Sequence, residues 1–472
     1  MAQNPNDRPP PSRHDTPRRP MTAIPGPAVP GRPAAPPPAS PPPGSGSSRS
    51  LLYVGVAVGA LVAIVLVAGL VRAFRSDSKP EQAAAPLAVA PPQVAPSSGR
   101  VAGVSDSEVV FGMASPFSGA IKELGRGMKT GLEVAFAVAN ESGGVHGRRL
   151  RLMALDDGYD PQRTRQVMQE LLEQRKVFAI AGNVGSPTAA VSIPVAMEKK
   201  VVFFGALTGA PLLRKNPPDR YVFNYRPSYA EETAAAVRYL VDVRRVDPRQ
   251  IGVFYQSDAF GEAGLAGVEE QLRKLRRNPA EMVKATYQRN SADVSEAVAR
   301  IRKEQARLKA VVLVATYQAA IQFIQQAKDR GLNLVFTNVS AVGSNELAEG
   351  LVGAGTGYTS DVVVTQIVPL PTSKATAALR YQAALEKHAI GEKPGFITFE
   401  GYIVGNILLE ALRRAGKDLD NEKLVAAFED VKGLDMGIGT PITFGPRDHQ
   451  GSHKVWGTQL QPDGSYRAID LE

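Results

Sequence analysis

The chain has 472 residues, enough for about three domains of ordinary size or for one pair of large α/β lobes. It contains no cysteine, which excludes disulfides, thiolate metal sites and a cysteine nucleophile. Of the formal net charge of +9, residues 1–50 carry +4 and residues 51–105 carry +2, so only about +3 remains for residues 106–472. No long block of Lys and Arg stands in that remainder, and we expect no nucleic-acid partner.

The first 50 residues are rich in proline, with 16 of the 37 prolines of the chain. Proline mixed with Ala, Gly, Ser and Arg cannot bury a core, so residues 1–50 are predicted to be a disordered, polyproline-biased tail. Their PxxP spacings would also suit a groove-binding partner domain, but a solvated spacer is the simpler interpretation. We assign no site to this tail.

An uncharged run of 21 residues follows, from Leu51 to Val71. As a helix it would span a hydrocarbon core of roughly 30 Å. The run is too long and begins too late for a cleaved signal peptide, so the sequence predicts one transmembrane helix, 51–73, acting as an uncleaved signal anchor. Basic residues on its two sides are too evenly balanced to orient it. Residues 74–105 are predicted to be a Pro/Ala-rich linker.

From residue 106 onward, short apolar runs alternate with amphipathic stretches, which is the pattern of βαβ units with parallel sheets. An apolar stripe on residues 128–139 predicts a helix, and Asp160 with Pro161 predicts the cap and first turn of the next helix. A region of this length exceeds one ordinary core, so two lobes are expected. The runs read as buried strands are VVFGMA at 109, LRLMALD at 150, VFAIAG at 177, VVFFGA at 201, IGVFYQ at 251 and VVLVA at 311.

The residues offer little for catalysis. The sequence contains neither HExxH nor GxSxG, and its five histidines are scattered. His449 and His453 have a spacing that suits a metal site on a helix, but Pro446 and Gly451 favour a loop there. Asp156, Asp157 and Asp160 are interpreted as turn and cap residues rather than as a cation site. We therefore predict no catalytic residue, no metal and no cofactor.

Two loops are better candidates, because each ends a predicted strand with small residues. In AGNVGSPT, Ser186 is predicted to be the cap of a helix and Pro187 its first residue. The second loop is GALTGAP, residues 205–211. Ligands of open parallel sheets lie beyond the carboxyl ends of the strands, where helix N-termini attract anions. The two loops together indicate a site for a small carboxylate, and the alternative is that Ser186 only caps and the glycines only turn the chain.

These segments resemble a family, the type I periplasmic binding proteins of the leucine/isoleucine/valine-binding kind, which are solute receptors of ABC importers. The resemblance covers about residues 107–472 and is carried by FGMASPFSGAIKELGRGMKTGLEVAFAVANESGGVHGRRLRLMALDDGYDP, AGNVGSPT, FFGALTGAP and IGVFYQSDAFGEAGLAGVEEQL. It implies two Rossmann-like α/β lobes with parallel sheets, joined by three crossovers and closing over a solute. Lobe 1 would comprise about 106–227 and 367–432, and lobe 2 about 228–366 and 433–472.

The resemblance also implies site residues. Ser186 matches a serine that binds the ligand carboxylate, and Ala206 and Thr208 match backbone and hydroxyl contacts of the next loop. Phe260 matches an aromatic residue that packs on the ligand, and Tyr317 matches a tyrosine near the ligand amine. Outside the resemblance, core packing is the favoured interpretation of both aromatic residues, because aromatic residues at strand ends usually pack in the core.

Ser340 departs from the family pattern. Amino-acid-binding members have an acidic residue at this position, which pairs with the ligand ammonium. A desolvated ammonium without a charged partner is costly. Either Asp258, Glu346 or another acid replaces the missing carboxylate, or the solute lacks an amine.

The resulting hypothesis is a membrane-anchored solute-binding protein of an ABC importer. It would bind a branched-chain amino acid or a related small carboxylate or amide in an interlobe cleft, outside the inner membrane, and would present its closed lobes to a permease. One alternative is a sensor ectodomain of the same fold that signals through the transmembrane helix and the proline-rich tail. Another is an enzyme with an unrecognised active site.

Overall fold

The computed structural model describes residues 101–472, and their strands form two large, mainly parallel sheets and one short two-stranded sheet. The strands are β1 (Glu108–Ser115), β2 (Arg149–Asp156), β3 (Ala179–Ala181), β4 (Phe203–Phe204), β5 (Val222–Phe223), β6 (Ile251–Gln256), β7 (Lys284–Tyr287), β8 (Ala310–Val314), β9 (Val335–Asn338), β10 (Val362–Gln366), β11 (Leu434–Asp435), β12 (Pro441–Ile442), β13 (Trp456–Leu460) and β14 (Tyr466–Ile469).

The helices alternate with the strands in chain order, as the βαβ pattern predicts. Asp160 caps the second helix as expected, since its carboxylate accepts the N–H groups of Gln162 and Arg163 and Pro161 is the first helical residue. The α-helices are α1 (Lys122–Glu141), α2 (Pro161–Gln169), α3 (Ser186–Glu198), α4 (Tyr229–Arg238), α5 (Ala259–Lys274), α6 (Ser295–Lys303), α7 (Tyr317–Asp329), α8 (Ser344–Ala354), α9 (Thr376–His388), α10 (Phe396–Ala415) and α11 (Asn421–Glu429).

The first sheet has the order β2-β1-β3-β4-β5 and is parallel throughout. The second has the order β14-β13-β10-β9-β8-β6-β7, in which β13 and β14 are antiparallel additions to a parallel core. All six apolar runs read as strands from the sequence are strands of these sheets. The inner parallel strands of both sheets are almost entirely buried, because helices cover both faces, whereas the edge strands β2 and β7 are only partly buried.

The chain passes between the two sheets three times. It leaves the first sheet after β5 and enters the second lobe with α4, returns after β10 to add α9, α10 and α11, and crosses again before β13. Helix α10 packs along α1, where a Cβ at Gly131 would lie 2.1 Å from the Thr398 carbonyl oxygen. The expected two-lobed architecture with parallel sheets is confirmed.

Part of the segment that follows α11 lies with the first sheet. The ring of Phe444 packs edge-on against Phe223 and Phe428, and the His449 ring stacks on Phe223 with centroids 3.8 Å apart. The sequence interpretation placed residues 433–472 in the second lobe, whereas these aromatic contacts attach Phe444 and His449 to the first. Only from β13 onward does the segment join the second sheet.

The tail 1–50, the predicted transmembrane helix 51–73 and nearly all of the linker 74–105 lie outside the described residues. Within residues 101–472, none of the helices combines the length and the apolar character that crossing a membrane requires. Val104 already pairs with Val109, so the folded region begins slightly before residue 106.

Candidate functional site

The site is built at the carboxyl ends of β3 and β4, where the two candidate loops run side by side. Val184 and Leu207 form a parallel bridge that holds the loops together. Gly185 has φ +104, and a Cβ there would lie 2.3 Å from the Tyr159 ring. Glycine is therefore required both for the backbone conformation and for the close approach of Tyr159.

Ser186 is the first residue of α3, and Gly185 rather than Ser186 is the N-cap residue. The expectation of a Ser186 cap with Pro187 as the first helical residue was wrong by one position, because the left-handed glycine already turns the chain into the helix. The Ser186 hydroxyl therefore does not cap a backbone N–H group of α3. It contacts the Thr208 hydroxyl at 2.7 Å, and both side chains are fully buried.

The second loop is tightly folded around Thr208. Its N–H donates to the carbonyl of Ala206 at 2.8 Å, and its hydroxyl accepts the N–H of Ala210 at 3.1 Å. Ala206 is buried beneath this turn. The structure thus brings together, at one end of the first sheet, the three residues that the family resemblance implied for the two loops, Ser186, Ala206 and Thr208.

Tyr229, in the first turn of α4, joins this hydroxyl pair to the second lobe. Its ring lies 5.2 Å from the ring of Phe260, and its backbone N–H donates to the carbonyl of Gly209, next to Thr208, at 2.9 Å. Burial raises the pKa of Tyr229, so its hydroxyl stays neutral at physiological pH. Gly209 permits the approach, since a Cβ there would lie 2.5 Å from the backbone nitrogen of Tyr229.

Phe260 and Asp258 mark the start of α5 on the second lobe. The Asp258 carboxylate accepts the N–H of Phe260 at 3.0 Å and a hydrogen bond from Arg289 at 3.3 Å. Both partners of this carboxylate belong to the second lobe. The neighbouring Gln256 donates to the hydroxyl of Tyr159 at 3.1 Å. This hydrogen bond joins the carboxyl end of β6 to the first lobe.

Ser340 lies at the end of β9 and is held by charged side chains of this chain. Its N–H and its hydroxyl donate to Glu232 at 2.8 and 3.0 Å, and its hydroxyl accepts a hydrogen bond from Arg226. The Arg226 guanidinium is fully buried and is also 3.6 Å from a Glu400 carboxylate oxygen. Burial raises the pKa of Glu232, and it raises that of Glu400 to about 7.

Tyr317 is the first residue of α7 and faces the opposite lobe at a different point. Its ring is buried beside Gly343, and burial raises its pKa to about 12. Nearby, Glu346 is largely buried, and one of its carboxylate oxygens has no hydrogen-bond partner among residues 101–472. Burial also raises the pKa of Glu346.

The structure thus brings Ser186, Ala206 and Thr208 together and connects Phe260 to them through one aromatic ring. Ser340 joins the same cluster through Arg226, while Tyr317 lies beside α1. The sequence interpretation missed the residues that make these connections, and only the Ser228-x-x-Glu231 capping box marked their helix in the sequence. The missed residues are Tyr159, Arg226, Tyr229, Glu232, Gln256 and Glu400.

His449 and His453 lie in a loop, as Pro446 and Gly451 indicated. The Nδ1 of His449 meets the Val222 carbonyl oxygen at 2.9 Å, and His453 pairs with Glu231 at 2.7 Å. Both histidines therefore have structural partners. In the part of the chain that the structure describes, no three His, Asp or Glu side chains are grouped closely enough to hold a metal ion.

Comparisons with known proteins agree with this architecture. The family model for the periplasmic binding protein family matches residues 108–465. Leu/Ile/Val-binding protein homolog 8 of Brucella abortus is 25% identical over 384 residues, which cover 75% of this chain and 89% of that protein. The crystal structure of a possible leucine/isoleucine/valine-binding protein from Rhodopirellula baltica SH 1 has a TM-score of 0.74 and 36% identity, covering 79% of this chain and 99% of the other.

A branched-chain amino acid ABC transporter structure from Thermus thermophilus, which contains bound valine, has a TM-score of 0.68. It is 18% identical and covers 78% of this chain and 96% of the other, so it supports the fold alone. The family match spans about three quarters of the chain. This protein therefore belongs to the periplasmic binding protein family, in its type I, leucine/isoleucine/valine-binding-like form, a class of solute-binding proteins that are not enzymes.

Proposed function

We propose that this chain is the solute-binding protein of an ABC importer and that it captures a branched-chain amino acid or a related small carboxylate or amide between its lobes. The observation that carries the proposal is the pair of buried hydroxyls, Ser186 and Thr208, at the carboxyl ends of adjacent parallel strands. Both hydroxyls can donate to an anion, and Ser186 stands in the first turn of a helix.

The energetics favour a carboxylate as the captured group. Hydrogen bonds to a charged acceptor contribute about 1.5–3 kcal/mol each, more than bonds between neutral groups. The carboxylate would bind the first lobe at Ser186 and Thr208, and residues of the second lobe such as Phe260 and Tyr317 would close on the rest of the solute. A ligand that touches both lobes shifts the equilibrium toward the closed form by its differential affinity. The Leu/Ile/Val-binding protein homolog 8 of Brucella abortus, 25% identical over 89% of its length, supports a solute of this class.

We also propose that residues 51–73 tether the protein to the inner membrane with the lobes outside the cytoplasm. The support is the uncharged run of 21 residues ahead of a family domain that receives solutes. Protease added to intact spheroplasts should then remove the lobes. Full protection of the lobes would contradict this orientation.

Substitution of the capturing hydroxyl tests the solute site. Isothermal titration with leucine, valine, their oxo acids and small amides should identify a ligand, and Ser186→Ala should weaken the binding of that ligand at least several-fold. Ser192→Ala is the matched control, because Ser192 is a buried serine of the same helix whose hydroxyl donates to the Thr188 carbonyl. Equal affinity of the S186A variant and the wild type would contradict the carboxylate site.

A further inference from the structure

The Arg226 guanidinium has unused donors inside the protein. Arg226 lies on the first crossing between the lobes, and its side chain is fully buried. One terminal nitrogen, Nη2, reaches the Ser340 hydroxyl. Its Nε and Nη1 have no hydrogen-bond partner among residues 101–472. Burying a cation whose N–H donors lack hydrogen-bond acceptors costs free energy. An acceptor placed at Nε and Nη1 would therefore stabilise the protein.

The neighbouring carboxylates do not meet this need. Glu232 is 3.8 Å from Nη2 and Glu400 is 3.6 Å from Nε, both beyond normal hydrogen-bond length. The carboxylate of Glu232 already accepts from the Ser340 N–H and hydroxyl and from the Thr365 hydroxyl. Burial also disfavours the charged form of both acids.

Arg226 is also close to the proposed solute site. Its guanidinium carbon lies 5.9 Å from the centroid of the Tyr229 ring, which lies 5.2 Å from the ring of Phe260. The N–H of Tyr229 donates to the carbonyl of Gly209, the residue after Thr208. On the other side it contacts Ser340, the position at which the family resemblance implies an acid for a ligand ammonium. The hydroxyl of Ser340 donates its one proton to Glu232. A ligand ammonium placed here would face a guanidinium of the same charge.

We infer, on the basis of the proposed function, that Arg226 determines specificity by donating from Nε and Nη1 to an oxygen of the ligand. The ligand class is a small carboxylate that carries a carbonyl or hydroxyl oxygen on the adjacent carbon, in place of an ammonium. Ser186 and Thr208 hold the carboxylate, and Arg226 holds the second oxygen. A 2-oxo or 2-hydroxy acid with a branched aliphatic chain fits this description.

Glu346 provides the competing arrangement. Its unpaired carboxylate oxygen would suit an ammonium, and it lies near Tyr317 and the start of α1. A preference for the amino acid would therefore point to Glu346 and away from Arg226. The two arrangements predict opposite orders of affinity for ligands that differ only at the second carbon.

The test is isothermal titration of the full chain in mild detergent with four probes of one carbon skeleton. They are 4-methyl-2-oxopentanoate, 2-hydroxy-4-methylpentanoate, leucine and 4-methylpentanoate. We expect the oxo and hydroxy acids to bind at least tenfold more tightly than leucine and the unsubstituted acid. Arg226→Met should remove this advantage, whereas Ser186→Ala should weaken all four probes and preserve their order.

Each result decides between the proposals. Leucine binding as tightly as the oxo acid would overturn the role of Arg226 and leave the proposed function standing. An unchanged preference in the R226M variant would overturn that role as well. Failure of all four probes to bind would overturn both proposals for this class of solute. If R226M does not fold, the order of affinities of the wild type still decides the question.

Discussion

Glu400 is a buried carboxylate whose charge is stabilised only in part. It is 2% exposed, and the nearest atom of Arg226 is 3.6 Å away. Burial raises its pKa from 4.5 to about 7, although Arg226 opposes the rise. The folded protein therefore holds a proton here that the unfolded chain releases between about pH 4.5 and 7. Through this group, the free energy of unfolding falls as the pH rises across that range and is constant above it.

We expect Glu400→Gln to reduce this pH dependence. Glutamine resembles the protonated acid, so the variant should gain stability relative to the wild type as the pH rises from 5 to 8, by on the order of 2–3 kcal/mol. Thermal unfolding without ligand at both pH values measures the difference. Glu410→Gln, at a half-buried position of the same helix where the carboxylate pairs with Arg414, is the control for removal of a carboxylate from this helix. A constant difference for E400Q would mean that Glu400 is ionised throughout this range.

Some residues of the candidate site could be predicted from the sequence and others could not. The two candidate loops were predicted because each follows a strand with small residues, and the family resemblance singled out Ser186 and Thr208 within them. The structure places the hydroxyls of Ser186 and Thr208 in contact. Arg226 was not predicted, because an arginine in a polar loop normally remains exposed. Its burial depends on Glu232, Ser340 and Glu400, which come from other elements of the fold. No local pattern contains that information.

At the scale of elements, two long helices of the first lobe approach each other through glycine. A Cβ at Gly131 of α1 would lie 2.1 Å from the Thr398 oxygen and 2.6 Å from the Tyr402 nitrogen, both backbone atoms of α10. Backbone atoms cannot rotate away as a flexible side chain can, so the helices themselves would have to separate. An added methyl group is therefore expected to strain this packing.

Gly131→Ala should accordingly destabilise the protein by about 1–3 kcal/mol, although alanine is the better helix former. Gly353→Ala is the matched control, since Gly353 is also helical and no atom lies within 4 Å of its added Cβ. The control should be neutral or stabilising by up to about 1 kcal/mol. Urea unfolding monitored by circular dichroism measures both changes. Equal effects of the two substitutions would show that α1 and α10 can move apart freely.

The long elements of the fold were predictable, whereas the short ones were not. Strands such as β1 and β6 are continuous apolar runs, and the apolar stripe of α1 is entirely buried. Strand β5 has only two residues and β11 lies in a small separate sheet, so neither carries a periodic signal. The shift of the α3 cap to Gly185 depends on a left-handed conformation that the sequence does not specify.

At the scale of the whole molecule, two polar contacts join the lobes close to the proposed site. Gln256 donates to the hydroxyl of Tyr159 at 3.1 Å, and the side chain of Asn290 donates to the Gly158 carbonyl at 3.4 Å. Both contacts link the second lobe to the loop that follows β2 of the first lobe. The βαβ pattern predicted two lobes and the family resemblance implied a ligand between them. Neither identified Tyr159, because contacts across a cleft leave no periodic pattern.

Removal of one of these contacts should weaken closure and therefore the affinity for ligand. Tyr159→Phe deletes only the hydroxyl that accepts from Gln256, and a neutral hydrogen bond contributes about 0.5–1.5 kcal/mol, which corresponds to a two- to tenfold weaker binding. The single tryptophan of the chain, Trp456, pairs with Gln366 where β10 leads into the second crossing. Its fluorescence provides a titration signal for ligand-induced closure.

Tyr358→Phe is the matched control for this titration. The hydroxyl of Tyr358 donates to Asp329 on the surface of the second lobe, so its loss changes no contact between the lobes. This variant should bind ligand as the wild type does, and both variants should unfold at nearly the wild-type temperature in the absence of ligand. If Y159F binds as tightly as Y358F, the Gln256–Tyr159 hydrogen bond does not favour the closed form over the open form, and closure depends on the ligand and the remaining contacts.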